Sequence, residues 1–160
     1  MAWFGRSSIL QPGAQAPSFT LPALGGAATA SVDLLAGGAI VLAFFKVSCP
    51  VCQMTFPYLE RLHKGGLRVF GVSQDKAAPT ESFARELGVT FPILLDDPKG
   101  YPASAAFGIT TVPTLFTIEP DGRISAVSEG FARRDLNALG ERVGTKPFGP
   151  ADRVPEFRPG

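Results

Sequence analysis

Ala39-Ile40-Val41-Leu42-Ala43-Phe44-Phe45-Lys46-Val47-Ser48-Cys49-Pro50-Val51-Cys52 is the stretch that decides how this chain is read. Residues 39–45 are an unbroken apolar run, the pattern of a strand buried on both faces of a sheet. Pro50 belongs at the first turn of a helix, where its missing N–H costs nothing. Behind it Cys52, Phe56, Leu59 and Leu62 recur at helical spacing, and Gly65-Gly66 stop the pattern. Leu67-Arg68-Val69-Phe70-Gly71-Val72 then reads as a second strand. Strand, helix and strand over residues 39–72 predict two parallel strands joined by a right-handed crossover.

A helix that starts at Pro50 puts Cys49 at or beside its N-cap, facing free N–H groups and the positive end of the helix dipole. That position favours a thiolate, with pKa values of roughly 3.5–7.5 in such motifs against about 8.5 for a free cysteine. Cys52 lies nearly one turn on, so both sulfurs share a face. The separation suits a disulfide, whose Cα atoms stand roughly 4.4–6.8 Å apart. The expected roles are asymmetric: Cys49 attacks a partner's disulfide, and Cys52 resolves the mixed disulfide. The plain alternative is two structural cysteines that happen to be neighbours. Their place between a buried strand and a helix weighs against it.

The bulk composition excludes several other functions. With 160 residues, 45% hydrophobic and 18% charged, the chain suits one domain with a real core. Fifteen basic against fourteen acidic residues leave a net charge of +1, so no nucleic-acid partner is expected. No apolar run approaches the ~20 residues that cross a bilayer, so no membrane partner is expected either. Met1-Ala2-Trp3-Phe4-Gly5-Arg6-Ser7-Ser8 lacks a basic stretch followed by an apolar core. The expected location is therefore cytoplasmic, and periplasmic only for a chain that has been trimmed. Two cysteines are too few for a secreted disulfide scaffold. Together with the single His63 they do not complete a four-ligand zinc site, so no metal is expected. No organic cofactor is expected, because the electrons rest on a Cys49–Cys52 disulfide.

Outside the central unit, residues 1–15 read as a lead-in, 16–143 as the domain and 144–160 as a Pro/Gly-rich tail, extended at best. Residues 16–35 hold short strands broken by turn residues, in the manner of a hairpin. A helix fits 79–87, with Pro79 in its first turn and Gly88 as its stop. Pro92 makes residues 91–95 an edge strand, and residues 100–107 fit a helical turn. Residues 114–118 and 123–127 read as strands joined by Glu119-Pro120-Asp121-Gly122, which has hairpin-turn chemistry. A last helix fits 132–143. Asp75 follows a strand where α/β loops often carry function, yet a turn or cap role is favoured for it; Asp96-Asp97 reads as a solvated turn, His63 as a helix-end residue, and Phe44, Phe45, Phe70 and Phe116 as core. Phe148 and Phe157 of the tail either pack back on the domain or dock on a second subunit; the oligomeric state is not legible.

From Gly13 to Val143 the chain resembles the thioredoxin superfamily, in the redoxin branch of TlpA/ResA-like reductases related to the AhpC/TSA peroxiredoxins. Gly13-Ala14-Gln15-Ala16-Pro17-Ser18-Phe19-Thr20-Leu21 is similar to the family's opening strand. Phe44 to Cys52 is similar to its active-site strand and loop. Pro57 matches its helix-kinking proline, and Thr111-Val112-Pro113-Thr114 matches its cis-proline loop. The resemblance implies a three-layer α/β fold, a central mixed sheet flanked by helices with an N-terminal strand extension. It also implies that Val112 and the cis Pro113 face the cysteines and bind the substrate chain, together with Pro50 and Val51. Kinship with the peroxiredoxins adds an antioxidant expectation.

The chain departs from the family at Ser48, where many members carry Trp. At Ala43 and Thr55, two positions where relatives carry a carboxylate, it has none. Lys46 is the nearest candidate for electrostatic support of a thiolate. Lys46 also weighs against the rival reading, a peroxiredoxin-like thiol peroxidase, because it stands where those enzymes place a Thr or Ser three residues before the peroxidatic cysteine. A copper-chaperone reading fails on spacing, since those proteins use CxxxC and a distant His. The expected activity is dithiol–disulfide exchange. Its partners are a disulfide-containing protein or small molecule and an upstream thiol reductant.

Overall fold

The computed structural model describes residues 8–160, so the lead-in and leader readings of residues 1–7 lie outside the described residues. In chain order the elements are β1 (Thr20–Pro22), β2 (Ala28–Ala30), α1 (Ser31–Ala36), β3 (Ile40–Phe45), α2 (Pro50–Lys64), β4 (Val69–Ser73) and α3 (Ala77–Leu87). They continue with β5 (Ile93–Leu95), α4 (Pro102–Phe107), β6 (Thr114–Ile118), β7 (Ile124–Glu129), β8 (Phe131–Ala132), α5 (Arg133–Glu141) and β9 (Phe157–Arg158). The main sheet has five strands in the order β5-β4-β3-β6-β7. β3, β4 and β5 run parallel, and β6 and β7 are antiparallel to their neighbours, so the sheet is mixed as expected.

The apolar run lies at the centre of that sheet, and every residue of β3 is buried. Alternation along the strand sends its side chains to opposite faces. Val41, Ala43 and Phe45 join one cluster with Phe56 and Leu59 of α2, Phe83 of α3 and Leu136 of α5. Ile40, Leu42 and Phe44 join the other with Phe107 of α4 and Phe116 of β6. Aromatic pairs carry both interfaces: Phe45 stands 4.4 Å from Phe56 between ring centroids, and Phe44 stands 5.2 Å from Phe107. The result is three layers with helices on both faces of the sheet.

The structure corrects three expectations. Residues 31–36 form a helix after the β1–β2 hairpin, where only short strands were expected. α3 begins at Ala77 rather than Pro79, which still leaves the proline in the first turn. Asp96 is not solvated. It is 3% exposed, and its carboxylate accepts from the backbone N–H groups of Ala103 (3.1 Å) and Ser104 (2.8 Å) and from Ser104 Oγ (2.7 Å), capping the start of α4. Of the two courses open to the tail, the structure shows the return to the domain. Phe148 packs 4.8 Å from Tyr58, Asp152 pairs with Arg61 at 2.6 Å, and β9 pairs with β8. Phe157 stays exposed.

Both edges of the sheet have company from the first part of the chain. At the β7 edge, Gly13 N–H donates to the Ile124 carbonyl (2.8 Å) and Ile124 N–H to the Ala14 carbonyl (2.9 Å). At the β5 edge, Leu24 N–H donates to the Ile93 carbonyl (2.8 Å), beside a bridge between Ala23 and Leu94.

Candidate active site

Topology converges three segments on one place. β3 and β4 are parallel with Phe45 opposite Ser73, so the loops that leave them start side by side. β6 is antiparallel to β3 with Thr114 opposite Phe44, so the loop that enters β6 meets the loop that leaves β3. Cys49 sits in the first loop, Asp75 in the second and Val112 in the third.

The Cys49 loop is tied down before its helix begins. Asp75 Oδ2 accepts the Val47 N–H at 2.8 Å, and Gln53 Nε2 donates to the Val47 carbonyl at 2.8 Å. Lys46 O accepts the Cys49 N–H at 3.2 Å. Ser73 Oγ in turn accepts the Asp75 N–H at 3.0 Å, which fixes the carboxylate that holds Val47. The sequence puts Asp75 after the second strand, where α/β loops often carry function, but favours a turn or cap role for it. What the sequence does not reveal is the partner of its carboxylate, the Val47 N–H in the loop that leaves the strand delivering the cysteines.

Cys49 is the N-cap of α2, as Pro50 at the helix start requires, and its backbone is extended (φ −82°, ψ 113°). Its sulfur accepts the N–H of Cys52 at 3.0 Å, filling the place a Ser or Asp oxygen takes at other helix starts. Its S–H faces the Val112 carbonyl oxygen at 3.5 Å. The Val112–Pro113 peptide bond is cis, Pro113 is buried below it, and Thr114 Oγ1 donates to the Thr111 carbonyl at 2.8 Å.

Cys52, one turn deeper, has no exposure and belongs to the core cluster under α2. Burial pushes its thiol pKa strongly up. The hydrogen bond to Cys49 and the negative charge of Asp75 push the same way, against a backbone contact from Lys46. Cys49 is half-buried and reaches solvent through an open groove of about 390 Å³, which Lys46, Pro50, Gln74, Val112 and Gly160 also line. The structure thus gathers Lys46, Cys49, Pro50 and Val112 around one groove, while Val51 packs, partly buried, against the core cluster. The other positions singled out in the sequence lie elsewhere or carry no charge. Thr55 is buried, with its hydroxyl on the Val51 carbonyl at 2.7 Å, and Ala43 is buried in β3. His63 lies near the end of α2 with its Nδ1 3.4 Å from the Leu67 carbonyl. Among the described residues no group of three or more His, Cys, Asp or Glu side chains is placed to hold a metal ion.

Comparison with known proteins agrees with this geometry. The pattern that defines the AhpC/TSA family matches residues 12–127. The thiol-disulfide oxidoreductase ResA of Halalkalibacterium halodurans is 31% identical over 135 residues, covering 80% of this chain and 74% of that protein. ResA of Bacillus subtilis is 30% identical over 132 residues, covering 79% and 71%. Among solved structures, a putative thiol:disulfide interchange protein DsbE from Chlorobium tepidum superposes with a TM-score of 0.71 at 25% identity, covering 88% of this chain and all of that one.

Proposed function

Because the chain belongs to the AhpC/TSA family, we propose that it works as a thiol–disulfide oxidoreductase in which Cys49 is the nucleophile and Cys52 the resolving thiol. The observation that carries this reading is the contrast at the start of α2. One sulfur caps the helix at the mouth of a groove, and the other is sealed one turn beneath it.

The chemistry balances on the two thiols alone. Cys49, as thiolate, attacks one sulfur of a substrate disulfide. The S–S bond breaks, the far sulfur leaves with the electron pair and takes a proton, and a mixed disulfide remains on Cys49. Cys52 then gives up its proton and attacks Cys49 Sγ, which closes the Cys49–Cys52 disulfide and frees the second substrate thiol. Two electrons and two protons reach the substrate. No organic cofactor takes part, and an upstream thiol reductant restores the pair.

The groove supports a role for Val112 and Pro50 in seating the substrate, with the cis Pro113 setting the course of the Val112 backbone and Val51 backing the helix start from the core side. Lys46 beside Cys49 supports an electrostatic contribution to the thiolate. The reducing direction and a cytoplasmic setting are part of the proposal, since only two cysteines are present and both are committed to the site. The substrate class is a protein or small-molecule disulfide. Turnover of insulin disulfides and of hydrogen peroxide, measured side by side with one thiol reductant, tests the reading. Disulfide reduction that disappears in Cys49→Ser supports it, and faster peroxide turnover replaces it with a peroxidase. A redox titration of the pair against glutathione tests direction, and a potential well above the cytosolic poise counts against a reductase.

A further inference from the structure

The returning tail ends on the site. Arg133 holds it near β9: its backbone N–H donates to the Glu156 carbonyl (2.9 Å), and its guanidinium donates to the Glu156 carboxylate (2.7 Å) and the Val154 carbonyl (3.0 Å). Beyond β9 the chain crosses Gly130, whose φ of +73° and lack of a side chain are both used. A Cβ there would run into the Arg158 carbonyl oxygen and stand 3.2 Å from Pro159 Cα. Gly130 N–H also donates to the Pro113 carbonyl (2.8 Å), which ties the crossing point to the cis-proline.

The tail then lies on the loop before β6. A Cβ at Gly160 would collide with the Val112 carbonyl oxygen and stand 2.7 Å from Thr111 Oγ1. That carbonyl is the one Cys49 Sγ faces, and Gly160 lines the same groove as Cys49. Residues 156–160 are nevertheless exposed on their outer side, so this segment is laid over the domain rather than built into its core.

We propose that residues 157–160 form a strap across Val112 that sorts substrates by size. A small disulfide reaches Cys49 past the strap, whereas a disulfide within a polypeptide has to lift it. The inference rests on the oxidoreductase reading above. A mixed disulfide brings the partner's Cα to roughly 4.4–6.8 Å from that of Cys49. The partner's flanking residues follow in steps of about 3.8 Å and need the groove wall that Gly160 occupies. A small disulfide has no flanking chain. A strap docked about nine-tenths of the time slows polypeptide substrates about tenfold, because only the open fraction is competent.

The test uses the full chain and two variants, Gly160→Leu, which cannot lie on Val112, and Arg133→Met, which removes the side-chain tie to Glu156 and leaves Gly160 intact. Substrates are insulin and bis(2-hydroxyethyl) disulfide. Accessibility of Cys49 in the reduced protein is read independently with iodoacetamide and with a bulky polyethylene-glycol maleimide. Both variants are expected to raise insulin turnover and bulky-maleimide labelling by about five- to tenfold, with the two small reagents changed by less than about twofold. Unchanged insulin and maleimide rates, or an equal gain for the small reagents, overturns the strap. If the parent chain reduces neither disulfide while the variants still speed bulky labelling, the oxidoreductase reading fails and the strap stands.

Discussion

Cys49 and Cys52 share a side chain and have opposite surroundings, and that difference is what a dithiol enzyme needs. Iodoacetamide added to the reduced protein is expected to label Cys49 at least about tenfold faster than Cys52, since the thiolate reacts and Cys52 is both sealed and held protonated. Peptide mapping by mass spectrometry reads the ratio, and equal labelling would contradict the assigned roles. Asp75 offers a second handle. Asp75→Asn keeps an oxygen for the Val47 N–H and removes a negative charge that raises the Cys52 pKa. The pH profile for resolution of the mixed disulfide is expected to move to lower pH, and an unmoved profile would leave Asp75 a purely structural role. The cysteine pair was legible because its evidence is local: a strand, a proline and a three-residue spacing. Asp75 was not, because the N–H it binds lies 28 residues earlier in the chain. A local reading of Val72-Ser73-Gln74-Asp75 favours a turn and names no partner for the carboxylate.

Among the elements, those that announce themselves by periodicity came out where expected. α2 spans Pro50–Lys64, as the apolar spacing and Gly65-Gly66 predict. β6 spans Thr114–Ile118, and β5 lies at the sheet edge that Pro92 calls for. α1 was hidden because it is six residues long and its N-cap, Ala30, makes no side-chain capping bond. α4 has a similar problem, since its cap comes from Asp96 rather than from the adjacent Tyr101. Asp96→Ala leaves two backbone N–H groups and a hydroxyl buried without that partner, at an expected cost of about 2–3 kcal/mol. For a chain of this size that is a fall in melting temperature of roughly 4–12 °C by calorimetry, and a change below about 2 °C would deny the cap its role. β8 and β9 were unreadable for a different reason. Each is two residues long, and only the returning tail brings them together.

At the scale of the whole molecule, the buried thiol couples redox state to stability. Cys52 has a folded pKa above the ordinary thiol range of about 8.5–9, so it stabilises the reduced fold fully below that range. That contribution is lost as pH rises above about 9, at a rate approaching 1.4 kcal/mol per pH unit from this group. Denaturant titrations from pH 8 to about 10.5 are expected to show this slope in the reduced protein and not in Cys52→Ala. A parallel decline in both would assign the alkaline loss to other groups. A doubly covered central strand was legible from the apolar run, and the strand-helix-strand pattern with the family resemblance supplied the helical layers on its two faces. The route of the tail was not, since its anchors, Arg61 to Asp152 and Arg133 to Glu156, join residues 91 and 23 apart. The contacts of Gly13, Ala14 and Leu24 with the outer strands bear on the fate of a shortened chain. A β-sheet has two raw margins of unpaired amides, and here a single early stretch hems both. A version that begins at residue 26 would keep its five strands and both cysteines. Its first fault would be stickiness rather than silence: copies would seek each other's margins, and light scattering would rise before catalysis fell.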